Sequence, residues 1–141
     1  MPTGPDPGLD LAARRWLRLR VGQLRAATQS RTFPTAVEVV GGPGWTDLGA
    51  PSADHGLRVD LLCRLLAGHG GAATVAVIRP GPHERRDEDM GWARAALVAA
   101  DVVGVSLTTV VIVSRWGWLD LASGEQRTWK RLRVRAYGAR T

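Results

Sequence analysis

Apolar positions along this chain switch between a helical and a strand period, and the switches mark out its elements. From Leu9 to Thr28, LDLAARRWLRLRVGQLRAAT sets Leu9, Ala12, Ala13, Trp16, Leu17, Leu24 and Ala27 near one stripe. Arginines 14, 15, 18 and 25 fill the rest, which predicts a basic amphipathic helix interrupted at Gly22. Within it, WLRLRV alternates apolar and basic residues with period two, so a strand start is the competing reading of that hexapeptide. After Pro34, TAVEVVGG reads as a short strand closed by the turn-rich GGPGW.

The next segment, APSADHGLRVDLLCRLLAGHGGA, carries helix punctuation. Ser52 or Asp54 supplies the N-cap oxygen, Val59, Leu62, Leu65 and Leu66 share a face, and Gly68 or Gly70 takes the left-handed stop. ATVAVI follows as a continuous apolar run with β-branched residues, suited to a strand covered on both faces. RPGPHERR breaks it, and a second helix starts among Asp87, Glu88 and Asp89, acids that favour the positive end of the helix dipole. Its stripe holds Trp92, Ala96, Ala99 and Ala100, with Leu97 and Val103 alongside and Gly104 at the end. VSLTTVVIVSRWGWLDL then predicts a hairpin turning at Arg115 to Gly117, and TWKRLRVRA an edge strand with a basic outer face. Helices interleaved with strands predict an α/β fold, a mixed β-sheet flanked by helices.

At 141 residues with 45% hydrophobic side chains, one core and one domain are expected. Residues 1–8 read as a disordered lead-in without a signal-peptide pattern, 9–136 as the domain with its N-terminal basic helix, and 137–141 as a tail. No apolar run approaches the about 20 residues a membrane-spanning helix needs. Cys63, the single cysteine, excludes an intrachain disulfide; it reads as a small core side chain in a reducing, cytoplasmic setting.

Charge changes this picture, because the net +6 is unevenly spread. Residues 1–32 carry six arginines against two acids, and 127–141 carry six bases and no acid, whereas 33–126 hold seven arginines against eleven acids. Basic ends on an acidic middle suit contact with nucleic acid or an acidic protein, or serve only as solubilising charge. On the contact reading, Trp129 with Lys130, Arg131, Arg133 and Arg135, together with Arg14, Arg15 and Arg18, meets a phosphate backbone without reading sequence. Six tryptophans against one tyrosine and one phenylalanine add a further reading, a self-associating homodimer. Trp92 and Trp118 are assigned to the core; Trp16, Trp45, Trp116 and Trp129 lie near arginines.

From about Ala50 to Gly124, roughly half the chain, the order LRVDLLCRLLAGHGGA, ATVAVI, RPG, RRDEDMGWARAALVAADVVGV, TTVVIVS, RWGWLDL resembles the JAB/MPN domain of RadC-like proteins. The resemblance implies a cytidine-deaminase-like three-layer architecture and, in the family, a zinc held by an H-x-H-P turn and a later aspartate. Aligning Pro80 and Gly81 puts Val77 and Arg79 at the histidine positions and Asp89, or else Asp87, at the aspartate. Neither Val77 nor Arg79 offers zinc a lone pair, so the resemblance implies a degenerate, non-catalytic binding module without cofactor. Arg79 is then expected to pair with the orphaned aspartate. The family's general-base glutamate finds no matching motif here; Glu38 in TAVEVV is the only acid in an early strand. The competing reading is a metal-dependent hydrolase or isopeptidase whose zinc sits at His83, Glu84 and Asp87 or Asp89; a capping turn explains the same residues.

Overall fold

The computed structural model describes residues 9–27, 33, 35–41, 46–47 and 54–130. The basic N-terminal segment is helical throughout, as α1 (Leu11–Ala27). Its period-two hexapeptide is not a strand, because Leu17, Val21 and Leu24 bury one helical stripe. β1 (Ala36–Val39) follows, then a two-residue β2 (Thr46–Asp47) that the turn-rich sequence did not announce. α2 (His55–Leu66) opens on Asp54, whose Oδ1 accepts the Leu57 amide at 2.9 Å. Past its end Gly68 has a φ of 82°.

β3 (Ala72–Ile78), α3 (Asp87–Val103) and β4 (Ser106–Val113) form one crossover unit, and Gly104 ends α3 in the left-handed conformation. β5 (Gly117–Asp120) returns as the expected hairpin. β6 (Gln126–Thr128) starts two residues before the edge strand read from the sequence, and Arg131 to Ala136 of that stretch lie outside the described residues. The strands form one mixed sheet in the order β2-β1-β3-β4-β5-β6. Only β3 and β4 run parallel, which is why they need the long α3 connection.

Period-two alternation divides the core between the two sheet faces. Val37, Val39, Ala73, Val75, Val77, Val110 and Ile112 meet Leu62 and Leu66 of α2 and the alanine side of α3. Ala36, Ala76, Ile78, Val111, Val113 and Trp118 meet Leu17, Val21 and Leu24 of α1. Helices on both faces explain why ATVAVI is apolar without interruption. Ala95, Ala96, Ala99 and Ala100 are all buried, so α3 lies with small side chains against its neighbours. Enlarging one of these alanines overpacks the layer, at a typical cost of about 1–3 kcal/mol. By contrast Leu97, read alongside this stripe, is 61% exposed.

Candidate functional site

Arg79 leaves the end of β3 on the face that Val77 shares with α3, and Asp89 sits in the first turn of α3 opposite it. Their side chains are 4% and 0% exposed. Arg79 Nε donates to Asp89 Oδ1 and Nη2 to Oδ2, each at 2.7 Å. Nη1 donates to the carbonyls of Pro80 (3.2 Å) and Pro82 (2.7 Å), and Nη2 to that of Glu84 (2.7 Å). A guanidinium has five N–H donors, and here each has an acceptor. Asp89 Oδ2 also accepts the Arg86 amide at 2.9 Å, which ties the helix start to the same pair. The turn from Pro80 to Glu84 is therefore wrapped around a buried cation. Of the two acids open to Arg79 in the sequence, Asp89 is the partner, and Asp87 is exposed.

Val77 is 1% exposed and packed in the core below this pair. The three positions Val77, Arg79 and Asp89 thus hold an aliphatic group and a matched ion pair. A permanently protonated guanidinium with its donors engaged has no means of activating water.

His83 departs from the solvated capping turn the sequence suggests. It is 6% exposed, with Nδ1 3.2 Å from Ser114 Oγ and Nε2 3.0 Å from Thr128 Oγ1. A Cβ on Gly117 would stand 2.9 Å from the ring and collide with the Arg127 carbonyl, so a glycine is required where the hairpin passes His83. Burial, then the charge of Arg79, lowers the His83 pKa, which favours the neutral ring. Glu84 and Asp87 point their side chains outward, and no three His, Cys, Asp or Glu side chains among the described residues are grouped to hold a metal ion. Glu38 lies on the other sheet face, paired with Arg20 of α1 at 3.0 Å, and cannot serve chemistry beside Arg79. Burial raises its pKa, and the hydrogen bond from Arg20 opposes this.

A second concentration of arginine lies across α1 and the last strand. Arg14, Arg15 and Arg18 of α1 line a cleft of about 180 Å³ with Trp118, Arg127 and Trp129. The guanidiniums of Arg18 and Arg127 stand over the Trp129 ring at 5.7 and 5.5 Å. Arg14 is neutralised by Glu125, with Nη2 2.8 Å from Oε1. Among the described residues no carboxylate pairs with Arg15, Arg18 or Arg127. Lys130 is exposed next to Trp129, whereas Arg131, Arg133 and Arg135 fall outside the described residues.

Farther along α1, Arg25 bonds the carbonyls of Arg115 and Trp129 and lies 5.1 Å over the Trp116 ring. Burial, then the charge of Arg115, lowers its pKa. The Trp129 amide in turn donates to the Trp116 carbonyl at 2.9 Å, so the two arginine and tryptophan groups adjoin. Sequence reading found Arg14, Arg15, Arg18 and Trp129 but missed Arg127 and Arg115. A basic residue two before Trp129 on the same strand face was the available signal for Arg127. Trp16 packs toward the α1 core, and Trp45 lies outside the described residues.

Comparison with protein-family models, curated proteins and solved structures finds no match for this chain. No helix among the described residues is long and apolar enough to cross a membrane.

Proposed function

We propose that this chain is a non-catalytic binding module that grips the phosphate backbone of nucleic acid through the α1 and β6 cleft. One observation carries the reading. Arg15, Arg18 and Arg127 come from opposite ends of the chain to one place around Trp129, and no carboxylate among the described residues forms a salt bridge with them, Glu125 acting on Arg127 only at longer range. Guanidiniums gathered without salt-bridge partners gain most from a ligand that brings its own regularly spaced negative charge. Since Trp129 already lies under two guanidiniums, it spaces the cations and does not offer its ring to a base. Affinity without sequence preference follows.

The scaffold we propose is a degenerate RadC-like JAB/MPN domain. The succession of α2, β3, turn, α3 and β4 from His55 to Val113 supports it, as does the ion pair where that family keeps a metal. This also makes a rearranged hydrolase the weaker reading, because both nitrogens of His83 are engaged with hydroxyls.

Fluorescence anisotropy with labelled single-stranded and duplex oligonucleotides of several sequences tests the proposal. Binding at low salt, indifferent to sequence and weakened by about tenfold or more in the triple variant R15Q/R18Q/R127Q, is expected. Stronger binding to an acidic polypeptide than to either nucleic acid would assign the cleft to a protein partner instead.

A further inference from the structure

Beside the backbone cleft, the hairpin turn and the Pro80 to Glu84 loop border a second, half-open cavity of about 330 Å³, lined by Gly81, Pro82, Arg115 and Trp116. Three observations at its rim point to an anion. Arg25 and Arg115 both stand over the Trp116 ring, at 5.1 and 6.0 Å, close enough to repel, and among the described residues neither has a carboxylate partner. The Arg115 Nε donor is buried with no acceptor. Arg86 rests on Gly81, where any side chain would collide with its guanidinium, so a third cation adjoins the lining. Two cations held together over one ring, one with an orphaned donor, are the complement of a compact, doubly charged group that accepts several hydrogen bonds. Arg25 is fixed there by the carbonyls of Arg115 and Trp129, which presets the geometry.

We infer that Arg25, Arg115 and the Gly81 to Pro82 turn bind a phosphomonoester: the phosphorylated end of a strand lying in the α1 and β6 cleft, or a free phosphate. The first source rests on the function proposed above; the pocket itself does not. Phosphodiesters in mid-strand carry one charge and a phosphomonoester two, so the paired cations select the terminal group by charge. This gives the backbone grip a register, with a strand end at Trp116 and its continuation toward Trp129.

The test compares 5′-phosphorylated, 3′-phosphorylated and hydroxyl-ended oligonucleotides of one sequence on the full chain at fixed ionic strength. In parallel, inorganic phosphate is titrated against chloride while the amide resonances of Gly81, Arg115 and Trp116 are followed. A preference of about tenfold for one phosphorylated end is expected, the scale of one charge-assisted bidentate contact. Arg115→Gln should bring the phosphorylated and hydroxyl-ended strands within about twofold of each other, with thermal melting confirming its fold. Saturable shifts with inorganic phosphate but no end preference would support the pocket and make free phosphate its ligand. Saturable shifts in a protein that binds no oligonucleotide would keep the pocket while removing the nucleic-acid reading. Equal affinity for all ends together with no saturable shift would overturn the inference.

Discussion

Arg79 and the arginines around Trp129 put one functional group to opposite uses. Arg79 is buried, and its five N–H donors meet five oxygens supplied by Asp89 and the following turn. Arg15, Arg18 and Arg127 are exposed and have no carboxylate partner among the described residues. A guanidinium whose donors are exhausted inside the protein has nothing left for a ligand. One whose donors face solvent contributes little to folding and is available for binding. Acceptor supply therefore separates the two roles, and the sign of the charge does not.

The largest effect should come from breaking the matched pair. Arg79→Ala leaves Asp89 buried without its cation, and a loss of about 3–5 kcal/mol is expected in denaturant unfolding. Replacing both partners by Met and Leu should cost much less than the single substitution, since no orphaned charge remains. A small effect of Arg79→Ala alone would erase the contrast on which the comparison stands.

Next in size, R15Q/R18Q/R127Q should lower oligonucleotide affinity by about tenfold or more while moving stability by less than about 1 kcal/mol. Stability falling as far as in Arg79→Ala would make the cleft arginines structural as well.

Glu125→Gln adds a cation to the cleft where the triple variant removes three. Its pair with Arg14 is 37% exposed on each partner, so releasing it should change stability by at most about 1 kcal/mol. The freed Arg14 then joins the cleft, and oligonucleotide affinity should rise by about two- to threefold at low salt. Weaker binding would show that Glu125 positions Arg14 for the ligand.

The smallest effect is a pH dependence near the boundary between the two regions, where His83 touches both the Arg79 loop and β6. Its folded pKa lies below the ordinary 6.5, so its stabilising share is complete above pH 6.5. That share is lost as the pH falls through the lowered value, because the unfolded chain takes up the proton first. Melting temperature should therefore decline on the acid side of pH 6.5 in the wild type, and His83→Gln should flatten this part of the curve. Glu38, with a raised pKa, acts with the opposite sign nearer its ordinary 4.5 and remains in the variant. An unchanged slope in His83→Gln would place the proton elsewhere.

Local signals in the sequence carried most of the elements. Asp54, the run ATVAVI and Gly104 each state a local requirement, a cap oxygen, two covered faces and a left-handed stop, and each is met in the fold. The acid that pairs with Arg79 was legible only as Asp87 or Asp89, because the choice depends on where the first turn of α3 faces β3. His83 was read as solvated because the hairpin that covers it, at Ser114 and Gly117, is over thirty residues away in the chain. The meeting of α1 with β6 was out of reach for the same reason: Arg18 and Trp129 lie on opposite sides of the sheet sequence, and no periodicity reports their contact. Charge counting found the two basic ends; only the fold brings Arg127 to Arg15 and Arg18.

The salt dependence of oligonucleotide binding separates a grip on the phosphate backbone from any other use of these arginines, with log affinity measured against log salt for the wild type and for R15Q/R18Q/R127Q. Each phosphate contact contributes a slope of about 0.7 on a single strand and about 0.9 on a duplex, so removing three should flatten the line by about two to three. Equal slopes for the two proteins, or wild-type binding that ignores salt, would contradict a backbone grip by these arginines.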